Sequence, residues 1–269
     1  MTGFSADWLA LREPFDSRAR NVSVRDAVVT RLQSYTSVQI VDLACGTGST
    51  LRALSGRLPP RQNWRLVDND LGLLARASGS ERPRDVTVNA TPLDLNRDLE
   101  AALDGPVDLV STSALLDLVS ESWLERLSVE IAARAIPFYA ALTYDGKIEF
   151  SPADATDAAI IAAVNSHQRT DKGFGPALGP SAAATAIARF EALGYSVIQG
   201  RSDWEFGPHD RDIQNEVLAG WASAVREVGS LTLAEIVGWL TRRRDIVAAG
   251  RSTLRVGHVD FFAAPIGTR

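Results

Sequence analysis

The sequence predicts an α/β protein: a doubly wound, mostly parallel sheet of seven strands with helices on both faces. A helical cap is added by the N-terminus and two C-terminal insertions. Three observations predict this. An apolar run (Val38, Ile40, Val41) enters Asp42-Leu43-Ala44-Cys45-Gly46-Thr47-Gly48, and a helical pattern follows at Leu51, Leu54 and Leu58. Strand, glycine turn and helix in that order form a nucleotide cradle. Strand and helix patterns then alternate from Ile40 to Tyr144, which calls for a parallel sheet covered on both sides. The run Val107-Asp108-Leu109-Val110 marks a buried strand inside that alternation.

The elements follow in order. Residues 1–36 read as two helices. The first carries Trp8, Leu9 and Leu11 and is broken by Pro14; the second carries Val24, Ala27, Val28 and Leu32, with Ser23 and Asp26 as its start signal. Residues 51–58 form the first crossover helix, stopped by Pro59-Pro60. Strands are expected at 64–68, 85–89, 106–113 and 136–144, with a helix from Leu71 to Ala77 and another introduced by a Ser122/Glu125 capping box. A strand over 195–206 and a last one over 254–263 complete seven, and the final pair need not be parallel. Two segments exceed the minimal fold: 145–180, and 207–251 with two helices. One helix shows Ile213, Val217, Trp221 and Val225 on a face; the other shows Leu233, Ile236, Val237 and Leu240 behind a Thr232/Glu235 capping box. The expected organisation is a single domain over 1–269, with 1–36 as cap, 37–144 as ligand-binding core, and 145–180 and 207–251 as insertions capping the substrate.

Composition narrows the function. A chain of 269 residues that is 45% hydrophobic can bury a sizeable core. A net charge of -5 offers no basic field, which argues against a nucleic-acid partner. The one basic run, Arg242-Arg243-Arg244, reads as the solvated face of a helix. One cysteine excludes a disulfide framework and a multi-cysteine zinc site, and no metal is expected. That cysteine, Cys45, reads as a small residue packed under the ligand rather than a nucleophile. No leader-like or membrane-spanning apolar run is visible, so no membrane partner and a cytoplasmic location are expected. Oligomeric state stays open, a homodimer included.

The glycine turn has its own chemistry. A dinucleotide site wants Gly-x-Gly-x-x-Gly for its pyrophosphate; Gly46 and Gly48 fit, but Leu51 stands at the third position, and Asp42 beside the turn would repel the anion. The order suits a ligand with no phosphate and a positive charge. Asp42-x-Ala44-x-Gly46-x-Gly48 resembles motif I of the class I (seven-strand, Rossmann-like) S-adenosylmethionine-dependent methyltransferases, with Thr50 at the last glycine of the longer form. The resemblance implies S-adenosyl-L-methionine as cofactor. It implies Asp42 as the acid orienting the amino-acid end and Ala44, Gly46 and Gly48 as the turn that lets backbone approach. Asp68, with Asn69 beside it, would take the ribose diol, in preference to Asp70. Asp94 and Leu95 would meet the adenine, and Ser111 and Thr112 would lie beneath the methionine part. Arg20 is preferred over Arg18 for the cofactor carboxylate, because it precedes the helix expected to close over the site.

Methyl transfer from a sulfonium needs alignment and exclusion of water more than a dedicated catalytic group, so catalytic residues are harder to read. The candidates are Asp117 after the fourth strand, Tyr144 at the end of the fifth, and His167 in the long insertion, a near-neutral base by type. His209 reads as solvated and His258 as structural. Trp204, Trp221 and Trp239 read as packing for the extra helices, with an aromatic wall for a flat substrate as the sharper alternative. The tetrapeptide Asn/Asp-Pro-Pro-Tyr/Phe is replaced by Val110-Ser111-Thr112-Ser113, which argues against transfer to exocyclic base or glutamine nitrogens. The reading is a methyltransferase acting on a small-molecule acceptor through O, N or C. Its alternatives are a non-catalytic S-adenosylmethionine-binding regulatory or assembly subunit and a nucleotide-dependent oxidoreductase.

Overall fold

The computed structural model describes residues 4–266. Its centre is a sheet of β1 (Val38–Leu43), β2 (Gln62–Asp68), β3 (Val86–Pro92), β4 (Leu109–Ser113), β5 (Phe138–Ser151), β6 (Tyr195–Arg201), β7 (Trp204–Phe206) and β8 (Thr253–Pro265), ordered β3-β2-β1-β4-β5-β8-β6 with β7 also pairing β8. The first five strands are mutually parallel; β8 runs antiparallel to β5, β6 and β7. The fold is therefore the doubly wound one expected, with one correction. The strand expected over 195–206 is two, because Ser202-Asp203 turns between β6 and β7 and the buried Asp203 carboxylate there takes the N–H of His258 on β8.

Strands β1 and β4 are buried almost throughout, as parallel strands covered on both sides must be. On one face Val41, Leu43, Val110 and Phe138 pack against α6 (Glu121–Ala133) and α8 (Ala182–Ala192), with the short α5 (Leu99–Ala102) at their edge. On the other, Ile40, Trp64, Leu66 and Leu109 pack against α2 (Val22–Leu32), α3 (Ser49–Leu54) and α4 (Leu71–Ser78). A third cluster joins the outer half of β5 and the start of β8 to α7 (Asp157–His167), α9 (Arg211–Val228), α10 (Leu233–Ala248) and α1 (Ala6–Ala19). Each fully buried Val, Leu, Ile or Phe contributes about 1.5–3 kcal/mol, so these faces fix which edge of the sheet is left open for a ligand. No helix among the described residues is long and apolar enough to cross a membrane.

Several local expectations are corrected. Helix α1 runs through Pro14; a proline forfeits one intrahelical bond, and the packing of Trp8, Leu11 and Phe15 against the third cluster offsets it. The start of α2 is capped by Asn21, not Ser23, and that of α6 by Ser120, not Ser122, each cap accepting a backbone N–H three residues on. Helix α3 ends at Leu54 rather than running to residue 58. The Thr232/Glu235 capping box of α10 forms as expected, but the inner face of that helix is Ile236, Trp239, Arg243 and Val247, while Leu233 and Val237 are exposed. Arg243 is thus no solvated residue. It is fully buried against the Asp157 carboxylate, which also accepts the Trp239 indole N–H.

Candidate functional site

Six chain segments meet at the C-terminal edge of β1, β2, β3 and β4, where an α/β sheet presents its ligand crevice. They enclose a cavity of about 400 Å³. The glycine turn forms its floor. Ala44 and Gly46 adopt left-handed φ of 52° and 55°, and the Cys45 N–H bonds the Val67 carbonyl. Glycine suits position 46 on two counts: its left-handed φ, and Leu9 of α1, whose Cδ1 lies 3.3 Å from where a Cβ would sit. Gly48 has a different task. It caps α3 in the left-handed conformation and lies against Ala77 of α4, and it does not line the cavity.

Asp68, at the tip of β2, lines the cavity and binds the turn: one carboxylate oxygen takes the Gly46 N–H at 2.9 Å and the other the Asp70 N–H at 3.0 Å. Each oxygen keeps a lone pair for a ligand hydroxyl. Asp70 caps α4 through one oxygen, which accepts from the Gly72 and Leu73 N–H groups, and it too lines the cavity. Asn69 lines the cavity beside them. After β3, Asp94 and Leu95 also line it. One Asp94 oxygen accepts from the Asn96 N–H, leaving the other free; the Leu95 carbonyl accepts the Trp123 indole N–H, and among the described residues the Leu95 N–H has no acceptor.

Asp42 lies behind this wall. It is wholly buried, paired across the strands with Ser111, whose hydroxyl donates to one carboxylate oxygen at 2.7 Å; the second oxygen has no partner. Burial pushes its carboxyl up to about 7, against the opposing pull of Ser111 and Arg20. Ser111 and Thr112 are likewise buried and do not line the cavity; Thr112 donates to the Leu43 carbonyl. The expected window is two residues early, since β4 runs through Ser113 and the crevice opens only at Ser113, Ala114 and Leu115. Burial also pushes the Cys45 thiol up, as suits a packed, unreactive cysteine.

Arg20 is corrected most clearly. It is buried, donates to Tyr139 and reaches the hydroxyls of Ser49, Thr50 and Ser113, so it sits one layer behind the cavity wall. Burial disfavours its charge, but Tyr139 and Asp260 outweigh that and hold its pKa above the ordinary value. The reason is tertiary: α2 packs on the sheet rather than over the site, and Asp260 of β8 ties Asn21 and Leu142 beside it. The cavity arginine is Arg12, on α1. Its guanidinium grips Asp16, which also accepts the Trp204 indole N–H, and it stacks over the Trp204 ring at 4.9 Å. Patterning could not have singled out Arg12, since α1 has almost no amphipathic contrast with two buried charges on its inner face.

None of Asp117, Tyr144 and His167 lines the cavity. Asp117 is buried in the 3-10 turn Leu116–Leu118, with one oxygen unpartnered and its carboxyl raised by burial to about 6. The Tyr144 hydroxyl donates to Asn165, and burial holds its pKa above the ordinary value. His167 meets Glu227 of α9 at 3.0 Å. His258 is structural as expected: buried, on the Val256 carbonyl through Nδ1, and lowered by burial to about 3. Trp204, Trp221 and Trp239 belong to the third cluster, and no residue of α9 or α10 lines the cavity. The insertion over 145–180 does reach it, through Lys172 and Phe174, with Leu118 beside them.

A parallel sheet ordered β3-β2-β1-β4-β5, an antiparallel partner inserted beside β5, a glycine turn after β1 and an acid at the tip of β2 together define the class I S-adenosylmethionine-dependent methyltransferase fold. Comparison with solved structures agrees. A cyclopropane-fatty-acyl-phospholipid synthase-like protein from Lactobacillus casei matches over 97% of this chain and 94% of its own, with a TM-score of 0.56 at 14% identity. Looser likenesses include the cyclopropane synthase MmaA2 from Mycobacterium tuberculosis (97% and 94%, TM-score 0.48, 13% identity). Another is a SAM-dependent methyltransferase from Geobacter sulfurreducens in complex with S-adenosyl-L-homocysteine (99% and 100%, 0.47, 15%). At 14% identity the first of these likenesses is one of fold. No protein-family model matches the chain, and no curated protein matches it.

Proposed function

We propose that the protein is an S-adenosylmethionine-dependent methyltransferase acting on a small molecule held with the cofactor in this cavity. One observation carries the reading: a single wall brings together the glycine turn, the half-engaged Asp68 carboxylate, and the free Asp94 oxygen beside the Leu95 N–H. These fit the group in kind. Asp68 suits a ribose diol, and Asp94 and Leu95 offer an acceptor and a donor to an adenine edge. Arg12, rather than Arg20, is the arginine within reach of the cofactor's carboxylate, because it lines the cavity and Arg20 does not.

Bound S-adenosylmethionine supplies an electrophilic methyl group on a sulfonium whose departure leaves a neutral thioether. What remains for the chain is to hold the acceptor in line and exclude water. Phe4, Leu9 and α1 close the cavity over the turn, and Leu115, Leu118 and Phe174 give it an apolar side. Its volume lies toward the low end of the roughly 300–1,000 Å³ of small-molecule pockets, which favours a small acceptor over a nucleic acid. With Asp117, Tyr144 and His167 outside the wall, alignment supplies the rate and none of the three touches the acceptor. The whole chain serves as one such domain and works in the cytoplasm, which its lone unpaired cysteine fits.

Titration calorimetry tests the cofactor: S-adenosylmethionine and S-adenosylhomocysteine should bind at least tenfold more tightly than NAD. The reverse order would make the protein an oxidoreductase candidate and end this reading. Release of S-adenosylhomocysteine across a panel of small metabolites then tests turnover. Tight cofactor binding with no release on any of them would favour the non-catalytic subunit.

A further inference from the structure

Lys172 stands apart among the charged groups of the cavity. Arg12 is matched by Asp16, Asp68 and Asp70 hold backbone N–H groups, and Asp94 caps a turn. Among the described residues Lys172 has no carboxylate within ion-pair distance, although it lines the same wall. Its ammonium has three donors. The amine lies 3.2 Å from His167 Nδ1 and 3.4 Å from its Nε2 and donates to the Thr170 hydroxyl at 2.9 Å, leaving a donor for the cavity.

The surrounding loop is built to hold that amine. Asp171 accepts the N–H groups of Gly173 and Gly175, Asn96 donates to the Gly173 carbonyl, the Leu178 N–H bonds Val119, and Phe174 packs edge-on to Trp123 at 5.4 Å. Behind it, His167 meets Glu227 through Nε2. The same ring that bonds Glu227 packs against the amine, so His167 and Glu227 together limit where the amine can sit. Partial burial lowers the Lys172 pKa, against the pull of Glu227; a charge so placed is short of counter-charge.

The position of Lys172 separates it from the cofactor's own carboxylate. Cofactor-type groups lie on the loops after β1, β2 and β3, and Arg12 enters from α1, paired with Asp16 beside Trp204. Lys172 enters from the segment after β5, beside Phe174 and Leu118. We propose that Lys172 receives the carboxylate of the methyl acceptor, and that the acceptor is a small, flat or apolar carboxylic acid whose body lies against Phe174, Leu115 and Leu118. Lys172 is then a specificity-determining residue, and His167 and Glu227 are positioning residues. The inference rests on the methyltransferase reading given above.

Benzoate and benzamide, equal in shape and different in charge, are the probes. Binding of each to the full chain saturated with S-adenosylhomocysteine is measured by ligand-observed NMR, for the wild type, Lys172→Gln and His167→Ala. Benzoate should bind the wild type at least fivefold more tightly than benzamide. The preference should vanish in Lys172→Gln and shrink in His167→Ala, while affinity for S-adenosylhomocysteine changes less than twofold. Equal or absent binding of the two probes overturns the inference, as does a preference that survives Lys172→Gln. A loss of tenfold or more in S-adenosylhomocysteine affinity in Lys172→Gln also overturns it, by assigning the lysine to the cofactor. A wild type that fails to bind S-adenosylhomocysteine is a separate result, which removes the cofactor reading and this inference with it.

Discussion

Removing the Asp68 carboxylate probes the site at its centre, because one side chain does two jobs. In the ligand-free protein it holds the turn, accepting from Gly46 at 2.9 Å and Asp70 at 3.0 Å. Hydrogen bonds to a charged acceptor contribute about 1.5–3 kcal/mol each when buried. Asp68 sits on a cavity wall that water can enter, so Asp68→Ala should cost only about 1–3 kcal/mol of stability in total. In the complex it should also forfeit the bonds from the ribose diol, a further ~1–3 kcal/mol or roughly 5–150-fold in affinity. Asp68→Asn is no gentle substitute, since its amide must turn N–H toward one of two backbone donors. Urea unfolding gives the first quantity and calorimetry with S-adenosylhomocysteine the second. Asp70→Ala is the control: it also lines the cavity but caps α4, so it should lose about 1 kcal/mol of stability with affinity within twofold. The assignment fails if folded Asp68→Ala binds as tightly as wild type, or if Asp70→Ala loses as much.

Three further outcomes are expected. Burial raises the Asp42 carboxyl from 3.8 to about 7, so between those pH values the folded protein keeps a proton that the unfolded chain releases. Its contribution is complete below about pH 4 and is lost as pH rises toward 7, on the order of 4 kcal/mol acting alone. Asp42→Asn should flatten the fall of urea midpoints over that range, and an unchanged slope would show that another group titrates. Gly46→Ala should strain the turn by about 1–2 kcal/mol and press on Leu9; pairing it with Leu9→Ala should recover part of the lost stability, and additive losses in a double-mutant cycle would mean that the two do not touch. Arg243→Met should cost about 3–5 kcal/mol by stranding the Asp157 carboxylate, against less than about 1 kcal/mol for Arg242→Met at the exposed Asp154 pair; equal denaturation midpoints for the two would contradict the buried pairing.

The sequence by itself determined the chain's local grammar. Alternating strand and helix patterns, each set by backbone geometry and local apolar spacing, carried the sheet from Ile40 to Tyr144. The glycine turn and the acid at the end of the next strand were legible because their chemistry is local: a positive φ, a close approach, a carboxylate that follows an apolar strand. Tertiary structure decided which charges face the ligand. Arg20 and Arg12 both lie in the N-terminal helical region; only the packing of α2 on the sheet and α1 on the turn buries one behind the wall and turns the other into it. Arg243 shows the same logic, a residue that looks solvated until Asp157, 86 positions away, is folded against it. Lys172 enters the cavity through a loop anchored to Asn96 and Val119. Such placements depend on partners distant in sequence, and local pattern carries no record of them.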